Sequence, residues 1–238
     1  MTRPVTRDRG DLDLNLRSEP QLREYRAIYE RIVRDRPDRI LDWGCGHGHA
    51  THALKEAGLD VVALEYLPDS IEGSVERLPY FPDVEAVVTP EPVRMPFPDG
   101  SFDAVLSLGV LEHVVDPDGS LAEIRRVLRP RGTLYLYKLP NRHSYLERIA
   151  RLAGLSYHGE REHDTLWTVG STSDALARHG LRVREVRRAN MLPLTLAGSL
   201  ATRAAPLIWT LNAALSRVPV LNLIATNVEA IAERAPDG

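Results

Sequence analysis

The chain has 238 residues, 43% hydrophobic and 26% charged, with a formal net charge of −3. That length suits one compact domain, or two small ones at most, and the composition excludes a globally disordered chain. The slightly acidic balance argues against a protein that coats nucleic acid, and a lone cysteine, Cys45, excludes an intramolecular disulfide or a CxxC zinc or redox site.

Residues 1–17 are polar and patternless and read as a mobile arm. The opening MTRPVTRDRGDLDLN has no apolar leader core, which sets the expectation of a cytoplasmic protein. Residues 18–238 read as a single domain. Ser18 opens a helix, with Gln21 at the capping-box spacing. Leu22, Tyr25, Tyr29, Ile32 and Val33 then recur at helical intervals to about Arg34. Beyond Pro37 short apolar runs alternate with helical stretches. Strands are expected at Ile40–Trp43, Val61–Leu64, Val84–Val88, Phe102–Leu108, Thr133–Leu139 and Leu181–Val186. Helices are expected at Ala50–Ala57, from Pro68 toward Arg77, and at Pro117–Leu128, Ser144–Leu152 and Ser171–His179. A last strand, about Asn227–Glu233, closes the sheet. This alternation predicts an α/β fold, a doubly wound, mostly parallel seven-stranded sheet with helices on both faces.

Residues 192–224 stand apart as an apolar insertion with two helical runs, Leu194–Leu200 and Leu207–Leu215. From Ala189 to Val228 the only charges are Arg203 and Arg217. The uncharged runs are too short for a spanning helix, which needs about 20 apolar residues, and prolines 193, 206 and 219 interrupt them. A lid over a pocket, a dimer interface, a membrane-contacting patch and plain core packing are all open to this segment. Monomer and homodimer are both compatible with it.

In open parallel sheets, ligands bind beyond the carboxyl ends of the strands. The first strand ends in Asp42-Trp43-Gly44-Cys45-Gly46-His47-Gly48. Glycines at spacing two let the backbone turn sharply and approach a ligand, and the helix that follows offers free N–H donors. The spacing is GxGxG, not the GxGxxG of dinucleotide binders. Glu65 closes the second strand, 21 residues after Gly44, where an acid can accept two hydrogen bonds from a ribose diol.

ILDWGCGHGHA, VVALEYLPDSI, RMPFPDGSFDAVLSLGVLEHVVDP and LRPRGTLYLYKLPN, in that order, resemble the class I S-adenosylmethionine-dependent methyltransferases of the small-molecule type, over about residues 38–141. The resemblance implies a Rossmann-like sheet whose last strand is antiparallel, and S-adenosylmethionine as cofactor. It places Gly44, Gly46 and Gly48 against the methionine end, with Asp42 ordering the loop and Glu65 holding the ribose. Cys45 and Tyr66 fall in the same two motifs and are placed at the cofactor with them. Glu91 stands where the family usually has an Asp that bonds the adenine amino group. Leu108 and Gly109 would border the reacting methyl.

Methyl transfer to a hydroxyl profits from a base near the acceptor. Of the eight histidines, His113 follows the fourth strand and His143 the fifth, both at the carboxyl edge. Each reads as a base or as a residue that shapes the pocket. His158 and His163 lie in a polar loop that would cover the acceptor, and neither has metal-ligand spacing. LEHVVDP, Asn141-Arg142 and Glu162-His163-Asp164 are similar to the ubiquinone-pathway O-methyltransferases, which hold a divalent ion with an acid and histidine cluster. Gly109 replaces the first acid of that cluster, so no metal is expected. The expected acceptor is a small lipophilic or natural-product hydroxyl. A protein or nucleic-acid methyltransferase is disfavoured by charge and by Ser107-Leu108-Gly109-Val110 after the fourth strand. A non-catalytic scaffold of the same fold is disfavoured by the intact Asp42, glycines and Glu65, and a dehydrogenase by the glycine spacing.

Overall fold

Ile40, Leu41, Ala104, Val105, Leu106 and Leu134 are all fully buried. Strands that show no polar alternation at their centres must be covered on both faces, as parallel sheets are. The computed structural model describes residues 18–67, 79, 81–154, 164–195 and 198–236, and bears this out. Helix α1 (Glu19–Asp35) precedes β1 (Arg39–Trp43), α2 (His49–Glu56), β2 (Asp60–Tyr66), β3 (Ala86–Thr89) and β4 (Phe102–Leu108). Helix α3 (Pro117–Val127), β5 (Leu128–Pro140), α4 (Tyr145–Leu152), α5 (Val169–Arg178) and β6 (Leu181–Ala189) follow. Helix α6 (Ser199–Leu215), a 3-10 turn (Leu221–Ile224) and β7 (Asn227–Arg234) complete the chain.

The sheet has seven strands in the order β3-β2-β1-β4-β5-β7-β6. Strands β1 to β5 pair in parallel, and β7 runs antiparallel to both β5 and β6. Alternate residues of each strand feed two cores. Leu41, Leu64, Val105, Leu134 and Leu136 pack against α3 and α5 through Leu121, Ile124 and Leu176. Ile40, Val61, Ala104, Leu106 and Tyr135 meet α1 and α2 through Ile28, Ile32, Ala50 and Leu54. The strand order reverses between β1 and β4, so β1 and β4 open a crevice at their carboxyl ends.

Four expectations need correction. The capping box does not form: Ser18 sits at the N-cap position without a side-chain cap. Its hydroxyl donates instead to the carbonyl of Leu194, and Gln21 reaches Tyr25, so a tertiary contact outcompetes the local one. The helix expected from Leu194 does not start there: Leu194 is buried in a turn, and α6 begins only after Gly198, whose φ of 109° no helix accommodates. Helix α6 then continues through Pro206, which the sequence pattern marks as a break. Strand β5 begins at Leu128 rather than Thr133, because Leu128 pairs with Phe102 across an irregularity in the register. The helix expected from Pro68 lies outside the described residues.

Candidate active site

Strand β1 ends at Trp43, and the backbone N–H groups of Gly44 and Cys45 both donate to the carbonyl of Leu64. That bond folds the turn back onto β2. Gly44, Gly46 and Gly48 have φ values of 73°, 50° and 80°, a region that glycine enters without a steric penalty. Space adds a second demand at Gly44, where a Cβ would lie 2.6 Å from Val110. Gly46 differs, because nothing lies within 4 Å of the position its Cβ would take; that side of the turn is open.

Asp42, buried in β1, accepts a 2.6 Å hydrogen bond from the Thr51 hydroxyl. This ties the strand end to the first turn of α2. Burial pushes the Asp42 carboxyl up to about 6, with the nearby Glu65 charge adding to the effect and the Thr51 bond opposing it. Glu65, at the end of β2, accepts a 2.7 Å hydrogen bond from the Gly46 N–H through Oε2. A carboxylate and the open glycine therefore share one rim.

That rim bounds a cleft of about 360 Å³, within the size range of small-molecule sites, about 300–1,000 Å³. Trp43, Gly44 and Gly46 form its floor, Leu64, Glu65 and Tyr66 one side, and Glu91–Met95 with Val110, His113 and Val115 the other. The wall at residues 91–95 is pinned from below. Glu123 of α3 accepts from the Met95 N–H, while Arg126 donates to the carbonyls of Met95 and Phe97. The Arg126 guanidinium holds the Glu123 carboxyl below its ordinary range.

Among the residues singled out in the sequence, Gly44, Gly46, Glu65, Tyr66, Glu91, Gly109 and His113 line this cleft. Asp42 and Gly48 stand behind it: a Cβ on Gly48 would lie 2.9 Å from Pro79 and 3.0 Å from Val84. Cys45 is turned away into a small cluster with Ala63 and Val84, where burial pushes its thiol pKa up. Leu108 is half-buried against the core under α1 and α2. His143 is exposed, with its N–H donating to Asn141 Oδ1, and lines no part of the cleft. His158 and His163 lie outside the described residues.

His113 has a partner that the sequence pattern did not supply. Its Nδ1 lies 2.8 Å from Asp164 Oδ1, and its Nε2 lies 3.8 Å from Glu112 Oε1. The backbone N–H of Thr165 donates to the carbonyl of Glu112, which brings this distant segment to the β4 turn. Glu112 is buried, and burial pushes its carboxyl up to about 8, with the charge of Asp164 adding to the rise and Lys138 opposing it. The sequence offered only the polar cluster Glu162-His163-Asp164 as a signal for this contact. Val110, Val114 and Val115, the apolar residues of the run GVLEHVV, add to the lining of the cleft. Among the described residues no group of three or more His, Cys, Asp or Glu is placed to hold a metal ion.

A larger cavity of about 680 Å³ lies between α1, α6 and strands β6 and β7. It shares no lining residue with the cleft. Its charged walls are largely spent on ion pairs, Arg31 with Glu185 and Arg187 with Glu229. Strand-end glycines and an acid converge only at the smaller cleft.

Comparison with known proteins agrees with this geometry. Residues 41–136 match the family described as "Methyltransferase domain". The chain is 42% identical over 98 residues to an uncharacterized methyltransferase of Mycobacterium tuberculosis, covering 41% of this chain and 38% of that protein. It is 35% identical over 109 residues to a ubiquinone biosynthesis O-methyltransferase of Xanthomonas campestris, covering 42% and 43%. The match thus spans about two fifths of these relatives. In overall fold the chain is similar to the Burkholderia thailandensis 1,6-didemethyltoxoflavin-N1-methyltransferase, solved with bound 1,6-didemethyltoxoflavin and S-adenosylhomocysteine. The TM-score is 0.53 at 17% identity, over 94% of this chain and 81% of that one.

Proposed function

We propose, from the premise that residues 41–136 form a methyltransferase domain, that this chain methylates a small lipophilic acceptor at a hydroxyl oxygen, with S-adenosylmethionine as donor. The observation that carries the reading is the shared rim: Glu65 against the Gly46 N–H, beside a glycine whose free side is open. A side chain at residue 46 would enter that space, whereas a nucleoside's diol would meet a carboxylate there. The apolar wall of Pro92, Val93, Met95 and Val110 suits a flat aromatic base, and Glu91 supplies an acceptor at its edge. The residues present fit the cofactor.

When bound, S-adenosylmethionine would supply an electrophilic sulfonium methyl together with its leaving group, the neutral thioether of S-adenosylhomocysteine. The protein then contributes mainly alignment, where effective molarities reach about 10⁵–10⁸ M. Gly44 and Gly46 bring backbone close to the donor; Asp42, through Thr51, holds that turn in place. His113 is the base. With Nδ1–H donating to Asp164, Nε2 is the nitrogen that accepts the acceptor's proton, and the Asp164 carboxylate stabilises the imidazolium that results. Glu112, whose carboxyl titrates near 8, is mostly neutral at pH 7 and adds little charge to the pair.

Calorimetric titration with S-adenosylmethionine and S-adenosylhomocysteine tests the donor: absence of heat from both would end this reading. Turnover of phenolic, lipid and glycosylated hydroxyl acceptors with labelled donor then tests the acceptor class. The reading of oxygen as the accepting atom draws support from the ubiquinone O-methyltransferase relative and fails if label appears only on amines.

A further inference from the structure

We infer that α6 and the turn after it form a membrane-contact face that seats this protein on an anionic lipid surface. The inference is independent of the proposed chemistry.

A surface helix ordinarily buries one stripe and turns polar residues to water. Helix α6 does not. Its inner side is docked: Ala205 and Asn212 are buried, and Asn212 Oδ1 accepts from the N–H groups of Met191 and Leu192. Its outer side carries Leu200, Leu207 and Leu211, which at spacings of seven and four fall on one stripe and are 80%, 61% and 45% exposed. The chain beyond it adds Val218, Val220, Leu221 and Leu223, with Val220 76% exposed. Large apolar side chains exposed in one continuous stretch mark a contact with something else.

Charge identifies that partner. No Asp or Glu occurs between residues 190 and 228, and the two charges in that stretch, Arg203 and Arg217, are both exposed. Apolar side chains that enter the headgroup boundary while arginines meet anionic phosphates are the pattern of an interfacial helix. A two-fold contact between copies would set this face against itself, bringing arginines together with no acid on the segment to offset them. Among the described residues no helix is long and apolar enough to cross a bilayer, so the contact is along the surface. Strand β6 is parallel to β5, since both pair antiparallel with β7. Helix α6 therefore leaves and rejoins the sheet at its carboxyl edge, the edge that holds the cleft.

Cosedimentation of the full chain with vesicles tests this, using phosphatidylcholine alone and phosphatidylcholine with one quarter phosphatidylglycerol. The wild-type chain should partition onto the mixed vesicles at least about tenfold more strongly than onto the neutral ones. The Leu207→Asp/Leu211→Asp variant should lose about tenfold or more of that partition, and Arg203→Glu/Arg217→Glu should lose the preference for phosphatidylglycerol. Both pairs are exposed, so unchanged thermal melts are expected; should the leucine variant misfold, the arginine variant decides alone. Failure of the wild-type chain to bind mixed vesicles overturns the inference. So does a concentration-dependent dimer in sedimentation velocity that the leucine variant abolishes, which would assign the face to a second copy.

Discussion

The turn after β1 and the segment between β6 and β7 bind their surroundings in opposite ways. At the turn, backbone and acids work over short stretches of chain: Asp42 holds Thr51, Glu65 holds Gly46, and glycine opens the space between. Between β6 and β7, two asparagines turn inward while several large apolar side chains stay outside. Asn190 donates to Glu24, Asn212 donates to Asn190, and Glu24 pairs with Lys138 at 2.9 Å. Leu207 and Val220 meanwhile face out. A ligand site made by short-range geometry is written in a motif; a docked helix held by scattered amides is not.

The largest effect that would separate the two regions is expected from Gly46→Arg. A side chain there enters the open rim from a backbone at φ 50°, so S-adenosylhomocysteine binding should fall at least about 100-fold by calorimetry, while vesicle partition is unchanged. Loss of both would mean that the regions are one unit. His113→Ala should lower turnover by about 10²–10⁴-fold with little change in cofactor affinity. Asp164→Asn should give a smaller loss, and a shifted pH–rate profile, because it misdirects the imidazole rather than removing it. A loss below about tenfold for His113→Ala would make this histidine a wall of the pocket.

On the other side, Asn212→Ala should destabilise the fold by about 1–3 kcal/mol, since it orphans the buried N–H of Met191 and the half-buried N–H of Leu192. Denaturant unfolding measures it, and the cofactor constant should hold. The smallest effect concerns Glu112. Burial raises its carboxyl from 4.5 to about 8, so the native state keeps a proton that the unfolded chain has released. Its contribution is therefore fully present below about pH 4.5 and is lost as pH rises toward 8. Glu112→Gln should flatten that decline, gaining stability relative to the wild-type chain at pH 8 against pH 5 by about 1 kcal/mol or more; parallel curves would show that the carboxyl is ionised in the native state.

Much of the fold was legible because its determinants are local. The run Phe102–Leu108 is a strand in both readings, and the apolar face of Leu121, Ile124 and Val127 makes α3 evident. The site was legible only in part. Cys45 and Leu108 lie within the quoted motifs, yet the turn after β1 packs Cys45 into a small buried cluster, and Leu108, at the end of β4, leans on the core under α1 and α2. His143 follows a strand end as His113 does, but the chain carries it out to solvent.

The sequence by itself determined the order of strands and helices, the glycine turn and the acid 21 residues beyond it, because periodicity and backbone freedom act over a few residues. Only the tertiary structure decided that Asp164 meets His113 across 51 residues, that Ser18 abandons its cap for Leu194, and which side of α6 is left uncovered. Those contacts join residues far apart in the chain, and their partners are chosen by how the layers pack.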